Sequence, residues 1–352
     1  MLKKREETIL FYVNVKDISI VNDISFYEQD IRTLRENGYN VIITNKYRDV
    51  FFQKYDFLFI WWWSYALIPL CWAKIFSIKT IVTGAFHYDT PLMPGTDYVR
   101  RSYIFKLLVK GALKLADANI FVSKYEYDDV INNLPVNNPL LVHHGIDIDK
   151  YKPNPSGNVI QISEKRNDRT YNVLIISWIE KNNIIRKCVR ESVMAVDMLI
   201  NEGYNINLYI AGRKGNGYEE FYNDISKLPS FNSIHFLGHI TEESKIELLS
   251  KADAFLSPTL YEGFGIAIAE ALACGCPVIT SKFGAVGEVV KDCALFVDPF
   301  SITDIRDTLK KLLNDESLRN TLSRKSRERI VEHFSYEKHK ENLIKCTKTV
   351  FK

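Results

Sequence analysis

Short apolar runs alternate with amphipathic helical stretches along the chain, and this alternation occurs twice. The apolar runs predict buried strands, and the stretches between them, such as FYEQDIRTLRENG at 26–38, predict helices. Such alternation is typical of a parallel sheet covered by helices on both faces. The predicted strands are ILFYVNV, YNVIIT, DFLFIW, KTIVTG and ANIFVS in the first half and YNVLIIS, NINLYIAG, SIHFLG, AFLSP, CPVIT and ALFVDP in the second.

One polar segment interrupts the alternation. Residues 152–170, KPNPSGNVIQISEKRNDRT, are rich in Pro, Asn, Ser and charged residues and therefore predict a linker. The sequence thus predicts an α/β protein with two doubly wound, Rossmann-like domains, residues 1–155 and residues 156–333, and a cleft between them.

The composition is that of an ordinary globular protein, with 352 residues, 46% hydrophobic and 25% charged. A net charge of +3 is too small to indicate nucleic acid as a partner. The six cysteines show neither a paired framework nor metal-ligand spacing, so reduced thiols are the simpler account. The N-terminus lacks the long apolar core of a signal peptide. Residues 57–76 approach the length of a membrane span, but Pro69 and Lys74 favour a buried strand followed by a helix.

The segment YEGFGIAIAEALACGCPVIT, residues 261–280, carries the candidate chemistry. It follows the predicted strand AFLSP, so EGFG is a loop at the carboxyl end of a parallel strand, where open sheets bind ligands. Gly263 and Gly265 allow the backbone to approach a ligand closely. The helix that begins here adds a partial positive charge. The segment therefore predicts a phosphate site made of backbone amides.

Two glutamates, Glu262 and Glu270, belong to the same segment. A carboxylate beside a phosphate is repelled, whereas carboxylates accept hydrogen bonds from ribose diols and sugar hydroxyls. Amides for a diphosphate together with carboxylates for hydroxyls predict a nucleotide-sugar site. The alternative is a solvated loop residue and a helix residue that faces water. The alanines around Glu270 indicate close packing instead, where an unpaired carboxylate would be costly.

The segment AFLSPTLYEGFGIAIAEALACGCPVITSKFGAVGEVV, with its Glu-x7-Glu spacing, closely resembles the donor-binding segment of the retaining, GT-B-fold glycosyltransferases of family four. The resemblance continues through IISWIEKNNIIRKCVRESVMAVDML, LYIAGRKG, IHFLGHI, HFSYEKH, FVSKYEYDDV and VHHGIDIDKYKP, and covers most of residues 80–345. It implies the GT-B architecture, in which two parallel sheets face each other across a cleft. It also implies a final helix, residues 334–352, that crosses back to the first domain.

The resemblance implies roles for the matching residues. Glu262 is expected to contact the transferred sugar near the scissile bond, and Glu270 is expected to hold the ribose hydroxyls. Lys187 resembles the family's diphosphate lysine, and its charge suits a leaving group that becomes more negative. The backbone amides expected to contact sugar and phosphate are those of Gly263, Phe264, Gly265 and Ile266.

Other positions depart from the family pattern. Where family members often have a Gly–Arg pair, this chain has Ser177 and Trp178. Spacing favours Lys181 as the second cation for the diphosphate. Arg186 is the alternative and is expected instead in a salt bridge on a helix surface. The chain also lacks the Gly-Gly loop that family members often carry after the first strand.

Two histidines are candidates because of their positions. His87 follows a predicted strand of the first domain and resembles a histidine that family members place near the reacting sugar; an exposed loop residue is the alternative. His239, after Gly238, is expected near the nucleobase through its backbone. His143 and His144 are expected to be structural.

Residues 98–116 contain five basic residues and no acidic one. Lys106, Lys110 and Lys114 fall on one stripe of a predicted helix, with apolar residues nearby. A basic amphipathic helix of this kind is typical of docking on an anionic membrane, which favours a lipid-linked acceptor. The alternative is a helix that packs on the core and keeps its lysines in water.

These features predict an enzyme that moves a sugar from a UDP- or GDP-linked donor to a saccharide or lipid-linked acceptor, with retention at the anomeric carbon. As in the family it resembles, we expect no cofactor and no divalent metal. A nucleotide-sugar epimerase on the same fold and a non-catalytic partner subunit are the alternatives. Analogy favours polysaccharide or glycoconjugate biosynthesis in the cytoplasm, with any lipid contact at the inner face of the cell membrane. The residues expected to act in catalysis are Glu262, His87 and Lys187.

Overall fold

The computed structural model describes residues 6–93, 97–153 and 169–352. The chain divides into two compact units, Met1–Gly145 with Tyr336–Lys352, and Ile146–Ser335. The domain boundary predicted at 155/156 and most of the predicted linker lie outside the described residues. Residues 146–153, which the sequence analysis assigned to the first domain, cluster with the second unit.

The first unit contains a parallel sheet flanked by helices. Over the described residues the sheet has six strands in the order β2-β1-β3-β4-β5-β6. The strands are β1 Thr8–Val13, β2 Asn40–Thr44, β3 Phe57–Trp61, β4 Lys79–Gly84, β5 Ala118–Phe121 and β6 Pro139–Leu141. The helices are α1 Ile20–Asp23, α2 Ser25–Glu36, α3 Tyr47–Phe52, α4 Leu67–Ile75, α5 Tyr103–Leu115 and α6 Lys124–Asn133.

Strand β1 explains why this sheet is covered on both faces. Its side chains alternate between two apolar clusters, with Ile9 and Phe11 in one cluster and Leu10 and Tyr12 in the other. Because successive residues of a strand point to opposite faces, a continuous apolar run must be buried on both sides. The flanking helices provide that cover.

The second unit repeats this plan with the strand order β12-β11-β10-β7-β8-β9, again six parallel strands among the described residues. The strands are β7 Tyr171–Ile176, β8 Ile206–Ala211, β9 Ile234–Gly238, β10 Ala254–Ser257, β11 Val278–Thr280 and β12 Leu295–Phe296. The helices are α7 Lys181–Arg186, α8 Val189–Asn201, α9 Tyr218–Ile225, α10 Glu242–Lys251, α11 Ile266–Ala273, α12 Val286–Val290, α13 Ile302–Asn314 and α14 Glu316–His333. The direction of winding reverses between β7 and β10, and such a reversal is the usual position of a ligand site in a doubly wound sheet.

The last helix, α15 Tyr336–Val350, belongs to the first unit and packs against α2. Leu343 and Val350 enter the apolar cluster that contains one face of β1. Just beyond the helix, Phe351 stacks on Phe57 with ring centroids 4.3 Å apart. The end of the chain therefore contributes to the core of the first unit.

The predicted two-domain α/β fold is confirmed, with two parallel sheets covered by helices. Residues 57–76 form β3 and α4, so the prediction of a strand followed by a helix is also confirmed. No helix in the described part of the chain combines the length and the apolar character needed to cross a bilayer.

Two glycines of the second unit provide a matched test of its packing. Both have positive φ, +149° at Gly212 and +93° at Gly203, but a Cβ at Gly212 would lie 1.9 Å from the carbonyl oxygen of Ser177, whereas a Cβ at Gly203 meets no atom within 4 Å. We expect Gly203→Ala to lower the free energy of unfolding by about 1–3 kcal/mol through backbone strain alone. Gly212→Ala should cost about 1–3 kcal/mol more, because the end of β7 must move. Denaturant titration measures both, and equal losses would contradict this packing.

Candidate functional site

The candidate site lies where the chain leaves β7 and β10, the two neighbouring strands at the winding reversal. Helix α7 follows β7, and the loop 258–265 follows β10. The two connections are joined through the carbonyl oxygen of Arg186, which accepts hydrogen bonds from the Leu260 amide at 2.6 Å and the Thr259 hydroxyl at 3.0 Å. The strand order therefore brings together residues that are about 75 positions apart in sequence.

Glu262 is paired with two cations at this edge of the sheet. Its Oε1 lies 2.7 Å from Nη1 of Arg186 and 3.7 Å from Nζ of Lys187. Arg186 also donates to the carbonyl oxygen of Tyr261 at 2.9 Å, which fixes its guanidinium beside the loop. All three charged side chains are mostly buried, at 15–24% exposed. The site thus holds more positive than negative charge close to the carboxyl ends of the strands.

Burial lowers the pKa of Lys187 from its ordinary value, and the nearby carboxylate of Glu262 opposes that shift. The ammonium also donates to the carbonyl oxygen of Ile176, the last residue of β7, at 3.3 Å. Glu262 therefore stabilises the charged form of a lysine that is only slightly exposed to water. An anion brought to the same cations would compete with Glu262 for them.

The backbone at Gly284 packs closely against the loop that carries Glu262. A Cβ at Gly284, where φ is +65°, would lie 2.5 Å from the Glu262 carbonyl oxygen, and the next residue, Ala285, donates its amide to that oxygen at 2.9 Å. At the other end of the loop, Gly265 has φ +87° and caps α11. Phe264 packs edge-on against another phenylalanine of the same unit, Phe334. The predicted amide loop therefore has a defined conformation at the start of a helix.

Glu270 lies on α11 and is 3% exposed, so the alternative of a residue that faces water is wrong. Its two carboxylate oxygens lie 3.1 and 3.0 Å from Nζ of Lys245 on α10. Burial raises the pKa of Glu270, and Lys245 acts in the opposite direction. The close packing expected from the surrounding alanines is present, and the carboxylate is paired.

Arg186, rather than Lys181, is the cation beside Glu262, and it is mostly buried rather than on the helix surface where it was expected. The diphosphate role expected of Lys181 stays a prediction. Nζ of Lys181 lies 2.9 Å from Glu220, and both side chains are more than 60% exposed. Lys181 begins α7 and Arg186 ends it, so the two occupy opposite ends of a short helix. The C-terminal end of α7 contacts the loop after β10, and two adjacent cations, Arg186 and Lys187, lie there.

The two predicted histidines follow strands β4 and β9. His87 follows β4 in the first unit, is half-buried, and accepts a hydrogen bond at its carbonyl oxygen from the Tyr98 amide. His239 follows β9 and its side chain is exposed. Their roles near a donor stay predictions. His144 is buried, Nε2 of Gln29 lies 2.9 Å from its Nδ1, and burial lowers its pKa to about 3.

Lys245 and Glu242 were not predicted from the sequence; Oε2 of Glu242 lies 2.9 Å from the Lys245 ammonium. Their spacing of three residues marks one helix face, but nothing in it indicates a partner on α11. Across residues 6–93, 97–153 and 169–352, no three His, Cys, Asp or Glu side chains are grouped so that they could hold a metal ion.

Comparison with known proteins gives a consistent result. Residues 181–329 match the family described as glycosyl transferases group 1. The chain is 26% identical over 244 residues to the capsular polysaccharide biosynthesis glycosyltransferase CapM of Staphylococcus aureus, a match that covers 66% of this chain and 62% of CapM. The chain thus spans less than two thirds of the length of CapM.

Two solved structures share the whole fold. Sucrose-phosphate synthase from Thermosynechococcus elongatus has a TM-score of 0.79 at 15% identity, with 98% of this chain and 99% of that chain covered. Anabaena Alr3699/HepE, solved with UDP and glucose, has a TM-score of 0.75 at 17% identity, with 98% and 100% covered. At these identities the likeness establishes the fold, and it agrees with the predicted GT-B architecture.

Glu262→Gln tests whether the buried ion pairs exist. Loss of the carboxylate leaves Arg186 and Lys187 without their counter-charge, so we expect a loss of about 1.5–3 kcal/mol of unfolding free energy at pH 7. The pKa of Lys187 in the folded state should fall further below its unfolded value. The part of the loss due to Lys187 therefore shrinks as the pH rises through the two folded pKa values, both of which lie below the unfolded one. Denaturant titration at pH 7 and pH 9.5 measures the change.

The matched control for this variant is Glu220→Gln, which breaks the exposed pair with Lys181. It should change stability little at either pH, because exposed ion pairs contribute little. A similar loss in both variants would contradict the buried pairing of Glu262.

Proposed function

We propose that this chain, whose residues 181–329 match the family of glycosyl transferases group 1, is a glycosyltransferase that moves a sugar from a nucleotide-diphosphate sugar to an acceptor. The donor is a UDP- or GDP-linked sugar, and the acceptor is a saccharide or a lipid-linked saccharide. The pairing of Glu262 with Arg186 and Lys187 at the winding reversal of the second sheet carries the proposal. The fold shared with Alr3699/HepE, which was solved with UDP and glucose, supports the choice of donor class.

In the proposed complex the cations bind the diphosphate and the carboxylates bind hydroxyl groups. The diphosphate binds at Arg186 and Lys187 and at the amides that begin α11, because helix starts and fixed cations both favour anions. Glu262 then contacts the transferred sugar, and Glu270, one turn deeper along α11, accepts hydrogen bonds from the ribose hydroxyls. Positive charge at the diphosphate stabilises the leaving group as the glycosidic bond breaks.

Retention and metal independence complete the proposed mechanism. The acceptor attacks from the face that the diphosphate leaves, and the leaving phosphate helps to take the acceptor proton. Arg186 and Lys187 supply positive charge where a divalent metal would otherwise do so. His87 is proposed to act near the reacting sugar, on the strength of the family resemblance alone.

A product assay tests this function against its alternatives. The enzyme is incubated with UDP- and GDP-sugars and a chelator, with and without saccharide acceptors, and the released nucleoside diphosphate and the anomeric configuration of the product are measured. A retained linkage with release of nucleoside diphosphate is expected. Conversion of the sugar without such release would indicate an epimerase. Absence of turnover with every donor would favour a non-catalytic subunit.

Arg186→Met and Lys181→Met separate the two candidate cations in this assay. Removing a charged hydrogen-bond donor from the diphosphate costs about 1.5–3 kcal/mol, so Arg186→Met should lower kcat/KM about 10- to 100-fold. Lys181→Met should leave kcat/KM close to wild type, since its charge is paired with Glu220 at the surface. The opposite order would return the diphosphate role to Lys181.

We also propose that the first unit docks on an anionic membrane. Helix α5 exposes Ile104 and Leu107, and α4 exposes Ile68 and Ile75, with Phe76 directly after it. The two helices pack against each other. We call these five side chains the docking face.

The charge around the docking face favours lipid over a second copy of the chain. Lys110 and Lys114 are exposed on α5, whereas Lys106 of the predicted stripe is half-buried. A symmetric pair of chains would set these lysines near one another, but an anionic membrane attracts them. Docking would place the enzyme at the inner face of the cell membrane, where a lipid-linked acceptor resides.

Phe76→Glu and Phe300→Glu test this docking with matched exposure, 55% and 59%. Inserting a large apolar side chain contributes about 1.5–3 kcal/mol, so Phe76→Glu should weaken binding to phosphatidylglycerol vesicles about tenfold or more. Phe300→Glu, in the second unit, should bind like wild type. Sedimentation with anionic and neutral vesicles measures both. Equal binding by the two variants, or concentration-dependent self-association through the docking face, would contradict the proposal.

A further inference from the structure

Glu270 lies in a compact cluster of ionisable groups, which we define as Glu270, Lys245, Glu242 and Tyr151. The ammonium of Lys245 contacts both oxygens of Glu270, at 3.1 and 3.0 Å, and one oxygen of Glu242, at 2.9 Å. The hydroxyl of Tyr151 donates to the other oxygen of Glu242. Lys245 also lies over the Tyr151 ring, 5.0 Å from its centroid. Lys245 therefore contacts both carboxylates, and the exposed Lys150 also lies 3.2 Å from Glu242.

The cluster is fixed by its surroundings. The Thr241 hydroxyl caps the start of α10. Glu242 and Lys245 are three residues apart on this helix and therefore lie on the same face. The Arg327 guanidinium donates to the carbonyl oxygen of Tyr151 at 2.6 Å and to that of Ala273, the last residue of α11, at 3.1 Å. Tyr151 and α11 are thereby held together by the same side chain. Movement of the Lys245 ammonium away from Glu270 would also break its contacts with Glu242 and the Tyr151 ring.

Burial and a second carboxylate both disfavour the ionised form of Glu270, and Lys245 favours it. Burial raises the pKa of Glu270, the nearby Glu242 carboxylate raises it further, and Lys245 is the group that most lowers it. Lys245 itself resists deprotonation, because the two carboxylates outweigh the effect of burial and raise its pKa.

The other ionisable groups that face Glu270 do not replace Lys245. Burial raises the pKa of Tyr151 and of Cys274, so both are neutral near pH 7. The Tyr151 hydroxyl lowers the pKa of Glu270 by hydrogen bonding, but less than Lys245 does. Lys187 acts on Glu270 only through a longer-range electrostatic interaction, and its own ion pair is with Glu262. In the described part of the chain, Lys245 is the cation in direct contact with Glu270.

We propose that Lys245 is a positioning residue that keeps Glu270 ionised and aligned to bind the ribose hydroxyl pair of the donor. An ionised carboxylate accepts hydrogen bonds on both oxygens, whereas a protonated one loses acceptor capacity and presents a donor. Two adjacent hydroxyls can therefore both donate to the ionised form, one to each carboxylate oxygen. The proposal rests on the proposed function, because it assumes that Glu270 meets the ribose.

Lys245→Met tests the proposal through the pH dependence of nucleotide binding. Without the ammonium, the pKa of Glu270 should rise, so the pH below which binding weakens should also rise. Below that pKa the dissociation constant should increase about tenfold per pH unit, since one proton competes with the ligand. The dissociation constants of UDP and of GDP are measured by calorimetry between pH 5.5 and pH 8.5 in wild type and variant. kcat at saturating donor should change much less than KM.

Three further variants identify the cause of any change. Lys245→Arg keeps the charge and should restore most of the wild-type pH profile. Glu242→Gln combined with Lys245→Met removes the opposing carboxylate and should shift the profile part of the way back. Lys251→Met, at an exposed lysine of the same helix that pairs only with Glu247 among the described residues, should bind like wild type. Thermal melting confirms that each variant is folded.

Each result has a distinct meaning. Absence of binding by wild type to either nucleotide would defeat the proposed function itself. Wild-type binding together with an unchanged pH profile in Lys245→Met would overturn this inference and leave the proposed function intact. Tighter binding by Lys245→Met at every pH would also overturn it, because Lys245 would then compete with the ribose for Glu270.

Discussion

Two carboxylates are buried at the same end of a parallel sheet, and the second unit depends on a cation for each of them. Glu262 is matched by Arg186 and Lys187, and Glu270 is matched by Lys245. A buried carboxylate without such a partner would be protonated or would destabilise the fold. The ion pairs therefore decide the charge of the candidate site, and with it which ligands the site can bind.

The strand order explains why these charges meet. The winding reverses between β7 and β10, so the connections after these strands leave the sheet side by side and join through the Arg186 carbonyl group. Gly284 allows the backbone behind Glu262 to approach closely, and Gly265 begins α11 at a positive φ. Topology thus brings amides, cations and carboxylates together, and the proposed contacts with diphosphate, sugar and ribose use these groups.

Much of this arrangement could be predicted from the sequence. The apolar runs identify the strands because parallel strands are buried on both faces, and the glycine loop predicts Glu262 just before a helix and Glu270 on it. The pairing of charges could not be predicted in the same way. Lys181 and Arg186 are both cations of one short helix, α7. Only the loop after β10, which contacts the C-terminal end of α7, determines that Arg186 rather than Lys181 lies beside Glu262. Lys245 lies on α10, whereas Glu270 lies on α11. Their contact depends on how the two helices pack, which the sequence of neither helix predicts.

Thermal unfolding with nucleoside diphosphates tests most directly the claim that this edge binds a nucleotide through Glu270. Wild type and Glu270→Ala are compared without metal, with UDP and GDP each in excess. At about 100 times its dissociation constant a ligand adds about 2.7 kcal/mol of stability. The account predicts such stabilisation of wild type by one of the two nucleotides, and its loss in Glu270→Ala. No stabilisation of wild type by either nucleotide, or equal stabilisation of both proteins, would contradict it.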